Sequence, residues 1–242
     1  SGSVSVLGMD PATAGRSYRD RMGIVLQSSG IEDELSVREA LAVYSSVYRD
    51  PKDPEEVLAL VGLSDKADER VKRLSGGQQR RIDLALGIVG NPEVLFLDEP
   101  TTGFDPAARR KSWELVDGLR SLGPTILLTT HYMDEAQHLA DRVAVIVRGE
   151  IVAEGTPAEL MDRSGETTIT FRLPDGVDVE SIPLSGAHIA GGEVTARSVD
   201  PTQALHELTG WALAAGLELR ELSATRPSLE DVYLELADGE AP

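Results

Sequence analysis

The 242-residue chain is long enough for one large domain, or a medium one with a small companion. It has no cysteine, which excludes disulfides, thiol catalysis and thiolate metal sites. A net charge of −18, with 14 acids against 4 arginines in residues 166–242, argues against binding nucleic acid or an anionic membrane.

In chain order, the Val content of residues 3–7 and the Ile/Val content of residues 22–26 predict short strands. Apolar spacing predicts helices over 36–49 and 54–61, the first capped by Ser36 with Glu39 at capping-box distance. A helix over 76–90 follows Ser75. Val94–Leu97 is a continuous apolar run, as in a strand buried on both faces. Asp105 and Pro106 are an N-cap and a first helical residue. Thr125–Thr129 reads as a second buried strand and Met133–Ala140 as a helix. Residues 142–147 and 151–154 read as a hairpin turning at Gly149-Glu150. Strand–helix alternation from 94 to 147 predicts a parallel α/β sheet.

The character changes after Leu160. Residues 167–173 and 194–199 are strand-like and 203–215 helical. Residues 217–222 are strand-like again, and 229–236 are helical. The stretch 174–192 is rich in Gly, Pro and Ser. This predicts a small α+β domain over 166–242. No run reaches membrane-spanning length: the longest uncharged stretch beside an apolar run is Ser121–Met133, and no signal peptide is visible. The chain is therefore expected to be soluble and intracellular.

Two segments carry chemistry. Ser75, Gly76 and Gly77 stand where a helix begins, and its free amides and partial positive charge suit phosphate. Alone, they would read as a capping serine with two loop glycines. Val94–Leu97 delivers Asp98 and Glu99 to a strand's carboxyl end, where open α/β sheets bind ligands. Together Leu74-Ser75-Gly76-Gly77-Gln78-Gln79-Arg80-Arg81 resembles the signature sequence of ABC-transporter ATPases. Val94-Leu95-Phe96-Leu97-Asp98-Glu99-Pro100 resembles their Walker B strand. The tail Arg226-Pro227-Ser228-Leu229-Glu230-Asp231-Val232-Tyr233-Leu234 resembles, more loosely, the C-terminal extension of the daunorubicin-resistance type of export ATPase.

The resemblance implies an α/β, P-loop NTPase-like core with a helical subdomain within residues 28–90, the whole nucleotide-binding part covering 1–160. ATP and Mg²⁺ are the implied ligands. Asp98 would hold Mg²⁺ and Glu99 would act as general base. Gln27, 48 residues before Ser75, matches the Q-loop glutamine that touches Mg²⁺ or water. His131, 32 residues after Glu99, matches the switch histidine that bonds the γ-phosphate. Asp105 stands at the D-loop position, where it could equally be a plain N-cap. Ser75, Gly76, Gly77 and Gln78 would face ATP held by the opposite subunit of a dimer. The implied partners are a second ATPase subunit and a transmembrane permease, which would place the chain at the cytoplasmic face of the membrane.

One family element is missing from these residues. Lys52, Lys66, Lys72 and Lys111 are the lysines, and none follows a glycine, so there is no Gly-x-x-x-x-Gly-Lys-Ser/Thr loop. The opening Gly2-x-Val4-x-Val6-x-Gly8 resembles the segment beyond that loop, so residue 1 is expected to lie inside a domain incomplete at its N-terminus. This chain alone is expected not to hydrolyse ATP. The alternatives are a non-hydrolysing binding or regulatory module of the same family, or a soluble family ATPase of translation or DNA repair.

Overall fold

The computed structural model describes residues 2–27, 30–163, 165–174, 176–178 and 181–238. Residues 28 and 29, where the expected helical subdomain begins, lie outside them, as do parts of the 174–192 stretch and the last four residues of the tail. The chain forms two compact units, Ser1–Leu139 and Ala140–Pro242.

The first unit is built on a parallel sheet of β1 (Met22–Val25), β2 (Val94–Asp98) and β3 (Thr125–Thr129), with β2 in the middle. Val25 pairs with Leu97, and Asp98 with Thr129, so the three strands end together. Short α1 (Arg16–Arg19) precedes β1. Helices α2 (Val37–Ser45), α3 (Pro54–Leu60), α4 (Gly76–Ile88), α5 (Pro106–Arg120) and α6 (Met133–Leu139) complete the unit. Leu41, Leu58, Ile82, Leu84, Leu95, Leu97 and Leu119 fill its core.

Local chemistry sets the helix ends. Ser36 and Glu39 form the expected capping box, Ser75 and Gln78 form a second one not foreseen from the sequence, and Asp105 accepts from the amides of Ala107 and Ala108. Helix α2 stops earlier than its periodicity suggests. The Ser45 and Ser46 hydroxyls donate back to the carbonyls of Ala42 and Val43 at 3.0 and 2.6 Å, drawing the last turn into tighter bonds.

Helix α4 lies directly on β1. A Cβ on Gly23 would overlap the carbonyl oxygen of Gly87, and one on Gly87 would overlap the Val25 side chain. Glycine at both places is what allows backbone to meet backbone.

Two expectations fail here. Residues 3–7 do not form a strand: Val6 and Met9 make an isolated antiparallel bridge around Leu7 and Gly8, both at positive φ, which is a tight turn. Nor are the core strands buried on both faces. Leu95 and Leu97 are buried beneath the helices, while Ile24 and Leu127, on the opposite face, are 56% and 55% exposed. That face lines an apolar cavity of about 480 Å³ with Phe96, Tyr18 and Pro11.

The second unit opens with the antiparallel hairpin β4 (Val143–Val147) and β5 (Glu150–Gly155). It turns one residue earlier than expected, at Arg148 and Gly149, whose positive φ values match the twist of a two-residue hairpin. Helix α7 (Pro157–Met161), unforeseen from the sequence, starts at a capping box between Thr156 and Glu159. The backbone amide of Thr156 holds the Glu159 carboxyl below the usual carboxylate range.

Strands β6 (Thr167–Arg172), β7 (His188–Ala190), β8 (Glu193–Ser198) and β9 (Arg220–Thr225) form an antiparallel sheet in the order β7-β8-β6-β9. Helix α8 (Pro201–Ala215) crosses between β8 and β9, and α9 (Leu229–Asp238) follows. Ile169, Phe171, Val194 and Leu208 are its buried centre. Strand β9 starts later than its sequence pattern suggests. Gly216 is left-handed and the Leu217 amide bonds back to Ala212 at 2.8 Å, so these residues close α8. Strand β7, only three residues long, gave no sequence signal.

Candidate functional site

Three segments meet where the parallel strands end: Gln27 beyond β1, Asp98 and Glu99 at the end of β2, and Thr129–His131 at the end of β3. This is the edge at which open α/β sheets place ligands.

Glu99 is the hub. Its φ is +44°, an uncommon backbone state for a side chain of this size. Its amide donates to the Thr129 carbonyl at 3.0 Å, which fixes the turn. One carboxylate oxygen accepts from Gln27 Nε2 at 3.1 Å and from Thr102 Oγ1 at 3.0 Å. The other lies 3.2 Å from His131 Nδ1. The Glu99 side chain is 32% exposed and that of His131 53%, so solvent reaches the group. Asp98, next to it, accepts from Thr129 Oγ1 at 2.6 Å and is otherwise exposed. Thr102 and Thr129 were not singled out from the sequence, since a lone threonine hydroxyl carries no signal there.

The donor set can be tested against Mg²⁺. Among the described residues, no group of three or more Asp, Glu or His side chains converges to hold an ion. Asp98, with one oxygen already taken by Thr129, fits a cation that keeps water and phosphate oxygens as its main ligands. Gln27 donates its amide to Glu99, leaving its oxygen for such a role.

Beneath the edge lies Arg80, a residue sequence reasoning quoted only as part of a motif. It is 7% exposed. Its guanidinium donates to the carbonyls of Pro100 at 2.8 Å, Leu26 at 2.6 Å and Asp98 at 3.2 Å. Burial pushes the guanidinium below its ordinary value, and the nearby Asp83 carboxylate opposes this. Arg80 thus ties α4 to the ends of β1 and β2. Arg80→Met would keep the aliphatic stem and leave one buried and two part-buried carbonyls without their donor. The expected cost is about 2–4 kcal/mol, read as a lower midpoint in urea unfolding at unchanged slope.

The other site candidates lie at the start of α4. Ser75 Oγ accepts from the Gln78 amide at 3.4 Å, and Gln78 Oε1 accepts from the Ser75 amide at 2.9 Å. Both side chains are therefore engaged in the helix cap. Gly76 and Gly77 are exposed, and a Cβ on either would meet nothing of this chain within 4 Å. Asp105 caps α5 and bonds none of the Glu99 group among the described residues.

Residues 1–102 match the family described as ABC transporter, and residues 167–228 match the ABC transporter domain-containing protein-like C-terminal domain. The daunorubicin resistance ATP-binding protein DrrA3 of Streptomyces coeruleorubidus is 35% identical, over 97% of this chain and 78% of its own length. The daunorubicin/doxorubicin resistance ATP-binding protein DrrA of Streptomyces peucetius is 36% identical over 97% of this chain and 75% of itself. The Nod factor export ATP-binding protein I of Rhizobium meliloti strain 1021 is 38% identical over 99% of this chain and 72% of itself. With identity of this level across nearly its whole length, and an α/β core of the matching kind, the chain belongs to the ATP-binding proteins of ABC transporters.

Proposed function

We propose that this chain is the ATP-hydrolysing subunit of an exporter of drugs or other small molecules. The observation that supports the reading best is the meeting of Gln27, Asp98, Glu99 and His131 at one strand edge. Relatives named for daunorubicin resistance and for Nod factor export point to the same class of cargo.

In this reading Glu99 takes a proton from the attacking water, and its contacts with Gln27, Thr102 and His131 aim its carboxylate. His131 meets the terminal phosphate. Asp98 holds Mg²⁺, with Gln27 beside it. The metal, when bound, supplies positive charge to the phosphate oxygens. The exposed turn Ser75-Gly76-Gly77-Gln78 serves ATP held by a second ATPase subunit, so that ATP closes a dimer, and Asp105 belongs to the same dimer face. Residues 1–160 form the nucleotide-binding part, its helical subdomain lying within 28–90, and residues 166–242 form an extension for subunit contact. No helix among the described residues is long and apolar enough to cross a membrane, so a transmembrane permease would carry the cargo and hold the chain at the cytoplasmic face.

Phosphoryl transfer depends mainly on positioning and charge, which a glycine-rich loop and its lysine provide. These 242 residues contain no such loop. The purified chain is therefore expected to release phosphate from Mg-ATP no faster than an enzyme-free control. The same chain preceded by a segment carrying Gly-x-x-x-x-Gly-Lys-Ser is expected to gain turnover. Hydrolysis by the chain alone would overturn the account of the loop. No gain with the loop would count against the proposed activity.

A further inference from the structure

The turn between β3 and α6 places two rings side by side, and only His131 has a part in the chemistry proposed above. The His131 and Tyr132 rings lie 4.1 Å apart at their centroids, tilted by 39°. The Arg109 guanidinium carbon stands 3.8 Å from the centre of the Tyr132 ring. Arg109 is itself held, since its side chain is 16% exposed and donates to Asp134 at 3.2 Å. The Tyr132 backbone is pinned at both ends: its amide donates to Thr130 Oγ1 at 3.0 Å, and its carbonyl accepts from the Ala136 amide at 3.2 Å. Helix α6 is fastened to α5 by fully buried Glu135, which accepts from Trp113 Nε1 at 3.1 Å.

An imidazole as exposed as that of His131 would otherwise move among several rotamers. Here Nδ1 faces a Glu99 carboxylate oxygen, which accepts and cannot donate when ionised. A lone pair on Nδ1 would be repelled by a carboxylate oxygen at 3.2 Å, which favours the proton on Nδ1 and leaves Nε2 as the nitrogen available to a ligand. The ring can hold this pose only if something restrains its rotation, and the Tyr132 ring is placed to do so.

We propose that Tyr132, braced by Arg109, is a positioning residue that keeps the His131 imidazole turned toward Glu99 as the Nδ1–H tautomer. Its bearing on hydrolysis rests on the role given to His131 above. The restraint itself does not depend on nucleotide and can be measured without it.

The test is long-range proton–nitrogen correlation on the ¹⁵N-labelled 242-residue chain at alkaline pH, which reads the tautomer of each histidine. Loss of signals in His131→Gln assigns the residue. The parent and Tyr132→Phe should both show His131 mainly as Nδ1–H. In Tyr132→Leu the ratio of Nδ1–H to Nε2–H should fall about three- to tenfold, the factor a ring–ring contact carries. Arg109→Met should move it the same way with Tyr132 intact, and it carries the test if Tyr132→Leu does not fold. His188 and His206, in the second unit, should stay unchanged in each variant. An Nδ1–H share unmoved by Tyr132→Leu and Arg109→Met, or lost equally in Tyr132→Phe, would overturn the proposal, as would a parent His131 in the Nε2–H form. Failure of the catalytic reading would look different: His131→Gln would leave turnover intact in the loop-bearing chain, while the tautomer result stood.

Discussion

Glu99→Gln in the loop-bearing chain should lower ATP turnover by about 10²-fold or more, the scale of losing a general base, while nucleotide binding persists. The substitution keeps the length and shape of the side chain. Its amide oxygen can still accept from Thr102, 3.0 Å from the present carboxylate, and from Gln27 at 3.1 Å. The new NH₂ would face His131, 3.2 Å from the other oxygen, and a neutral imidazole can answer it by moving its proton to Nε2. The backbone at φ +44° is equally uncommon for either residue, so the turn gains no new strain. The variant should therefore fold, bind ATP and stall. Phosphate release and equilibrium binding of labelled ATP measure the two halves. Unchanged turnover would move the base role elsewhere.

Gly77→Asp should abolish the ATP-dependent dimer without harming the fold. Nothing of this chain lies within 4 Å of where the new Cβ would sit. The position is in the first turn of α4, where an acidic side chain favours the helix by about 0.3–1 kcal/mol. Thermal unfolding of the variant should match or slightly exceed that of the parent. A loss of association must then come from outside the chain, from a carboxylate set against phosphate on a partner. Light scattering with Mg-ATP in the Glu99→Gln background, where the dimer should persist, reads it directly. A variant that still dimerises as well as its parent would remove the partner role given to this turn.

Much of the fold was legible because its helix ends are chemical statements. Ser36 with Glu39, Ser75 alone and Asp105 with Pro106 begin helices where the residue types predict. What failed was of another kind. The valines of residues 3–7 carry strand propensity, but propensity needs a pairing strand, and Leu7 and Gly8 turn the chain at once. Helix α7 is five residues long, too short for periodicity to register, and only its capping box betrays it.

The site divides in the same way. Gln27, Asp98, Glu99 and His131 could be marked along the chain because their spacing resembles that of the family's motifs. Their meeting could not be read, since it depends on the parallel register of three strands drawn from residues 22 to 129. Arg80 was hidden for a different reason. A charged residue in an amphipathic helix reads as solvent-facing, and only the structure supplies three carbonyls to receive it.

The glycine contact between α4 and β1 has a mechanical meaning. Where side chains separate two elements, they can tilt and slide against a yielding layer. Gly23 and Gly87 remove that layer, so the helix rests on the strand as one rod on another. A single bearing would still let the rod pivot. Arg80 supplies a second one two turns away, about 10 Å along the axis, by grasping the Leu26 carbonyl beyond the same strand. Fixed at two points, the helix cannot swing without carrying the strand. A push on the exposed turn at Gly77 would reach Gln27, just beyond the strand's near end, as a displacement of one stiff body.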